Sequence, residues 1–351
     1  MSKEDFLSVG GQAIVEGVMM RSPKYFAIAC RAPNKELVVI AEPIEKTWIG
    51  RQKWLKVPFL RGSWALLDAM TLGTKAMKFA SDIQLSPEYQ PLEETVTSDA
   101  ADGEAGSDAD SGQSAGSEPS PKAMSKKVQD GIVLSTMIVS LAFALFIFKI
   151  LPQVAGTLLK EKFHWDGRQT NLTVEVIKIS FFLGYLFAIS RLEGVKEVFR
   201  YHGAEHKAIN TLEAQLPLTL ENCKKQTRLH PRCGTSFAII VLILGLCLFP
   251  FVPRFESLFP QYEGKALFEA LGNSVLHISI LPFVAGFAYE LLRFAGKFRD
   301  NSAVMVLFRP GLWTQLITTQ EPRDDQIEVA LASLEACMTG ERSLSAEATP
   351  S

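Results

Sequence analysis

This chain has five histidines in 351 residues, and two of them fall in one stretch of ten, YHGAEHKAIN at 201–210. His202 and His206 stand at i and i+4, with Glu205 between them. On a helix that spacing projects both imidazoles from one face. The pattern H-x-x-E-H is that of the inverted zincins. Two imidazoles so placed can grip one divalent metal ion such as zinc. The ion makes a water acidic enough to attack, and the carboxylate can take its proton. A third ligand must come from elsewhere. RLHPRCGTSF, beginning at residue 228, offers His230 and Cys233, a nitrogen and a thiolate. Four good zinc donors therefore fall within residues 202–233. Glu213 extends the histidine stripe by two further turns and is a candidate to support a ligand. There is a plainer account. The pattern is short, Gly203 weakens a helix slightly, and polar side chains at a membrane surface can simply bond headgroups, backbone or water. A cytidine-deaminase-like site fits less well, because it needs H-x-E followed by P-C-x-x-C.

The elements that must position these residues are mostly apolar. The chain is 47% hydrophobic, with a mean hydropathy of +0.13. Four runs approach the length of about 20 residues that a helix needs to cross hydrocarbon: 131–152, 172–190, 236–253 and 274–292. The second carries Glu175 and Lys178 and the fourth carries His277, so either could instead be a buried or re-entrant helix. Basic residues set the orientation. Lys122, Lys126 and Lys127 precede the first run, Arg293, Lys297 and Arg299 follow the fourth, and the loop 191–235 is rich in Lys and Arg. Both termini and that loop are therefore expected in the cytoplasm. The loop 153–171, with Lys160, Lys162 and Arg168, is not clearly depleted of base.

Net charge is −2, but nine acidic and no basic residues lie between 86 and 121. Removing those nine leaves the remainder at +7, which suits flanks that meet anionic lipid. No basic stripe with interleaved aromatics marks a nucleic-acid surface. The five cysteines are scattered and odd in number, which argues against a disulfide framework. The first residues, MSKEDFLSVG, lack the apolar core of a cleavable signal.

Residues 1–85 read as a small α+β cytoplasmic domain. YFAIACR and ELVVIAEPI form a hairpin around APNK, and a largely apolar helix follows within 58–83. GGQAIVEGVMMRSP, residues 10–23, reads as a turn and a strand, or as backbone approaching the 191–235 loop with Glu16 reaching a site. Residues 86–125 are too poor in apolar side chains to order and read as a linker. After the membrane part, 126–300, a C-terminal cytoplasmic segment (301–340) holds a short amphipathic helix, DDQIEVALASLEACM, capped by Asp324 and Asp325. A loose tail, 341–351, ends the chain. Glu290 and Arg293 sit at the inner end of the fourth run. They read as an i, i+3 pair or, for Glu290, as support for a site. His277 reads as a helix-packing histidine.

Six motifs in order, GGQAIVEGVMMRSP, PFLRGSWAL, YHGAEHKAIN, LHPRCGTSF, VAGFAYELLRFAG and PGLWTQLITTQEP…QIEVA, together resemble the bacterial YqhQ-like family. The resemblance implies a multi-pass membrane protein, sometimes labelled a metal-dependent enzyme, and marks the acidic linker as an insertion. The expectation is thus an α-helical multi-pass protein of the bacterial inner membrane. Its metal site is built from His202, His206 and Cys233, with His230 as a further donor and Glu205 as general base. The rival expectation is a non-catalytic scaffold or assembly factor whose N-terminal domain docks a cytoplasmic protein.

Overall fold

A strand that is apolar along its length needs cover on both faces. Strand β3 (Tyr25–Arg31) is such a strand, and its five central residues are buried. In the computed structural model, which describes residues 9–44, 60–90, 126–298 and 301–347, β3 pairs with β2 (Gly17–Arg21) and β4 (Leu37–Pro43), and β2 pairs with β1 (Gly10–Ile14). The sheet is antiparallel in the order β1-β2-β3-β4. GGQAIVEGVMMR is therefore a hairpin of two strands rather than a turn and one strand. Its turn places Glu16 at φ +50.

Side-chain alternation assigns the two faces. Met19, Phe26, Ile28 and Cys30 pack on Leu72, Ala76, Ala80 and Ile83 of helix α1 (Leu60–Leu85). Val18, Met20, Ala27 and Ala29 pack on Tyr201, Ala204 and Ala208 of α5 (Glu193–Glu213). The same face packs on Ile327, Ala330 and Leu334 of the C-terminal helix α11 (Asp324–Glu347). The sheet, α5 and α11 thus share one core. Helix α11 begins at the two expected aspartates but runs past residue 340. The acidic segment read as a linker lies outside the described residues from 91 to 125.

The rest is a helical bundle. Helix α2 (Lys126–Leu145) continues through a π turn (Phe146–Ile150) into α3 (Leu151–Phe163). Pro152 directly follows that π turn, where the helical hydrogen-bond register already changes and its missing N–H is accommodated. It therefore does not end the first apolar run, and most of 153–171 is helix rather than loop. Helix α4 (Gly167–Ile189) opens on a capping box between Asp166 and Gln169. Helix α6 (Leu220–Lys225) is a short turn before α7 (Gly234–Leu248). After the short α8 (Phe255–Leu258) comes α9 (Ala266–Lys297), continuous through Pro282. Ser63 of α1 donates to the Pro282 carbonyl at 3.0 Å.

Among the described residues four helical stretches are long and apolar enough to cross a membrane: Ile138–Phe163, Gly167–Ile189, Gly234–Leu258 and Ala266–Lys297. They cover the four expected runs, the first of them from Ile138 onward. Large apolar side chains such as Val139, Phe143, Phe187 and Phe283 are exposed on them. Helix α10 (Ser302–Thr318), 17 residues long, was not expected. It packs on α7, where Gly311 lies against Ser236.

Candidate metal centre

Helix α5 has the apolar face that fixes it to the sheet, and its other side carries the histidines. His202 and His206 are one turn apart, with ring centroids 4.4 Å apart. Cys233 is the N-cap of α7. The turn before it is held by Gln315 of α10, which accepts from the His230 amide at 2.8 Å. Gln315 also donates to the His230 carbonyl and the Ser236 hydroxyl, both at 2.7 Å.

These elements bring one nitrogen from each of His202 and His206 and the Cys233 sulfur within 4.8 Å of one another. His202 Nε2 lies 3.1 Å from Sγ. Zinc–ligand bonds of about 2.0–2.3 Å put neighbouring ligand atoms of a tetrahedron about 3.3–3.8 Å apart, so this spacing suits a single ion. The other ring nitrogens are also accounted for. His202 Nδ1 donates to the Thr318 carbonyl at 2.8 Å, and His206 Nδ1 donates to the Arg228 carbonyl at 2.6 Å. A proton held at Nδ1 leaves the Nε2 lone pair free, the tautomer and support that metal-ligating imidazoles ordinarily have. Thr235 supports the sulfur at 3.2 Å.

Glu205 sits beside the three donors, with Oε2 3.9 Å from His202 Nε2 and its side chain 6% exposed. The Gly11 amide of β1 donates to it. A Cβ at Gly11 would stand 2.8 Å from Glu205 Oε1, so this glycine is what lets the strand approach. The expected backbone approach is therefore present, and it comes from Gly11. Glu16 lies further off, accepting from the Tyr201 hydroxyl at 3.0 Å next to His202 in sequence.

The electrostatics favour a charged sulfur. Burial would raise the Cys233 thiol, but the His202 and His206 rings hold it well below the ordinary value. Burial would lower His202, but the Cys233 sulfur, Glu205 and the Thr318 carbonyl lift it to about 9. Burial raises Glu205 above the usual carboxylate range, against the two imidazoles.

His230, expected as a further donor, is engaged elsewhere. Its Nε2 lies 3.3 Å from Glu213 Oε1, and Arg232 binds the same oxygen. Burial pushes its pKa down. Glu213 therefore supports His230 and Arg232. Glu290 sits on α9, seven residues before its end, and is not among the converging groups. Sequence reading missed Thr235, Gln315 and the Thr318 and Arg228 carbonyls. Of these only Thr235, two residues after Cys233, carried a local signal.

Over residues 57–340 the chain matches the family of proteins of unknown function designated DUF1385. The chain belongs to this family. It is 32% identical over 329 residues to the uncharacterized protein YqhQ of Bacillus subtilis strain 168, a match that covers 92% of this chain and 90% of that protein. No solved structure matches it.

Proposed function

We propose that this protein of the DUF1385 family is a multi-pass protein of the bacterial inner membrane that holds one divalent metal ion between His202, His206 and Cys233. The nitrogen and thiolate donors suit zinc. We further propose that the ion serves hydrolysis, with Glu205 as general base. The observation that carries the metal is the pair of Nδ1–carbonyl hydrogen bonds, which aim both Nε2 lone pairs at one sulfur. An ion there supplies Lewis acidity. The chain supplies three protein ligands, the number found in catalytic zinc sites, and a carboxylate beside them.

The topology follows from charge and alternation. Four spans crossed in succession would put the start of the first, the 190–233 segment and the end of the fourth on one side. Arg191, Lys196, Arg200, Lys224, Lys225, Arg293 and Lys297 lie there, which makes that side cytoplasmic.

The second reading is a structural ion that clamps the sheet domain to the bundle. Burial favours it: the His206 residue is 1% exposed and Cys233 6%. Glu205 would then be the fourth ligand of a closed site. Cobalt substitution separates the two without a substrate. In the hydrolytic reading, azide or a hydroxamate perturbs the visible cobalt bands, because one coordination position is open. Glu205→Gln retains cobalt with unchanged affinity. Bands indifferent to added ligand, together with weakened cobalt binding in E205Q, would establish the closed structural site. Failure of the purified protein to hold any metal would remove both.

A further inference from the structure

A second buried cluster lies within the bundle, away from the metal centre. Gln153 of α3, Glu175 and Lys178 of α4 and His277 of α9 are each 3% exposed or less. Lys178 Nζ donates to Glu175 Oε1 at 2.5 Å, and His277 Nδ1 lies 3.8 Å from the same oxygen. Phe249 stacks on the His277 ring with centroids 4.1 Å apart. The Gln153 side-chain nitrogen lies 3.2 Å from His277 Nδ1. An amide nitrogen donates, so Nδ1 accepts and the imidazole proton is on Nε2. Among the described residues, neither His277 Nε2 nor Gln153 Oε1 has a hydrogen-bond partner, and both are buried. Orphaned polar atoms of this kind are rare and call for a functional account. Ionisable groups inside apolar helices are costly and mark ion or proton sites by default.

One helical turn further along the same three helices lie Thr157, Asn171 and Asn273, all three buried. Arg254 donates to Asn171 at 3.0 Å and to Thr157 at 3.2 Å. Glu256 accepts from Lys160 at 2.8 Å and from Asn273 at 2.9 Å. Lys160, Arg254 and Glu256 also line a cavity of about 470 Å³. A column of polar side chains therefore leads from a cavity at the end of the bundle opposite the metal centre to His277.

We infer that His277, Glu175 and Gln153 form a proton-binding site inside the bundle, fed from that cavity. The inference rests on the reading that these helices cross the membrane, and it is independent of the metal. One proton passes from a hydronium ion in the cavity to His277 Nδ1: an O–H bond breaks, leaving neutral water, and the N–H bond forms. The Gln153 amide turns end for end, so that its free Oε1 accepts from the new N–H. Glu175, 3.8 Å away, supplies the countercharge. Lys178, Lys149 of the π turn and Arg254 are the cations around the site. Release reverses the same steps.

The test uses the full-length, metal-loaded protein with ¹⁵N-labelled histidine in phosphatidylethanolamine–phosphatidylglycerol vesicles. Solid-state NMR spectra are followed from about pH 4 to pH 9, the range in which histidine charge changes. His277→Gln assigns the signal. The expected result is conversion of His277 from a neutral ring to a doubly protonated one as pH falls. Glu175→Gln should displace the midpoint by about one pH unit or more, because a charge within 4 Å has gone. A His277 ring that keeps one tautomer throughout, or a midpoint unmoved in E175Q, would overturn the proposal. Vesicle flotation and metal content are read on the same samples. Inert His277 in floated, metal-bearing protein sinks this inference alone, whereas failure to float sinks the membrane reading and this inference with it.

Discussion

Gly203 stands between the two histidines, and the effect of Gly203→Ala has opposite signs by two arguments. Helix propensity alone says alanine stabilises by about 1 kcal/mol. Packing says otherwise. A Cβ at Gly203 would lie 2.0 Å from the Gln320 carbonyl oxygen, whereas ordinary contact begins at 3.4 Å. The segment after α10 would have to retreat by about 1.4 Å, the difference of those distances. It is not free to do so. The Gln320 amide donates to the Phe199 carbonyl at 2.9 Å, and Arg228 donates to the Thr319 carbonyl. Overpacking against a pinned backbone costs about 1–3 kcal/mol, and the upper part of that range applies here, so the net is a loss of about 1–2 kcal/mol. The same retreat carries away the Thr318 carbonyl, which holds His202 Nδ1 at 2.8 Å. Losing such a support weakens metal binding by about 10–100-fold. Chelator competition and thermal unfolding in detergent measure both effects. A G203A protein that is more stable than the parent, with unchanged metal affinity, would refute the packing argument and the role given to Thr318.

Three further outcomes follow from the same geometry. In the metal-free protein His202 holds its proton up to about pH 9 beside a Cys233 thiolate, and a metal must displace that proton. Affinity should therefore rise about tenfold per pH unit from pH 7 and level off above pH 9; chelator competition that gives one affinity across that range contradicts the imidazolium–thiolate assignment. His230→Gln should leave metal stoichiometry unchanged while lowering the unfolding temperature, because His230 faces Glu213; loss of the ion on metal analysis would make His230 a ligand after all. Leu334→Ala, in the core shared by the sheet, α5 and α11, should cost about 2–5 kcal/mol. A denaturant midpoint that does not move would show that α11 is not part of that core.

What could be read from the sequence divides along a physical line. Side-chain identity at helical spacing travels well, so His202, Glu205 and His206 were placed on one helix, with Cys233 named as the third donor. Identity without direction travels poorly. His230 has the right chemistry and lies three residues from Cys233, yet the turn that Gln315 holds sends its ring to Glu213. Nothing local encodes that. Backbone partners leave no trace in composition either, which is why the carbonyls of Arg228 and Thr318 were invisible although they set both tautomers.

The same division explains the elements. The β3 strand announces itself because it is apolar throughout and must be covered twice. The β1 strand does not, because GGQAI has weak strand propensity and is held by pairing with β2 and by the approach of Gly11 to Glu205. Helix α10 was hidden by Arg309 and Pro310 in its middle, yet it supplies Gln315 and Thr318, two of the groups that shape the candidate metal centre. The candidate centre therefore depends on pieces far apart in sequence: a glycine in the first strand, the helix α10 after the last long apolar helix, and the turn before α7. Helix α5 alone carries two imidazoles and a carboxylate, but it cannot choose their tautomers or bring the sulfur. A peptide of residues 193–213 should for that reason bind zinc weakly. The affinity of the whole chain, measured against that peptide, reports how much the assembled fold contributes to the site.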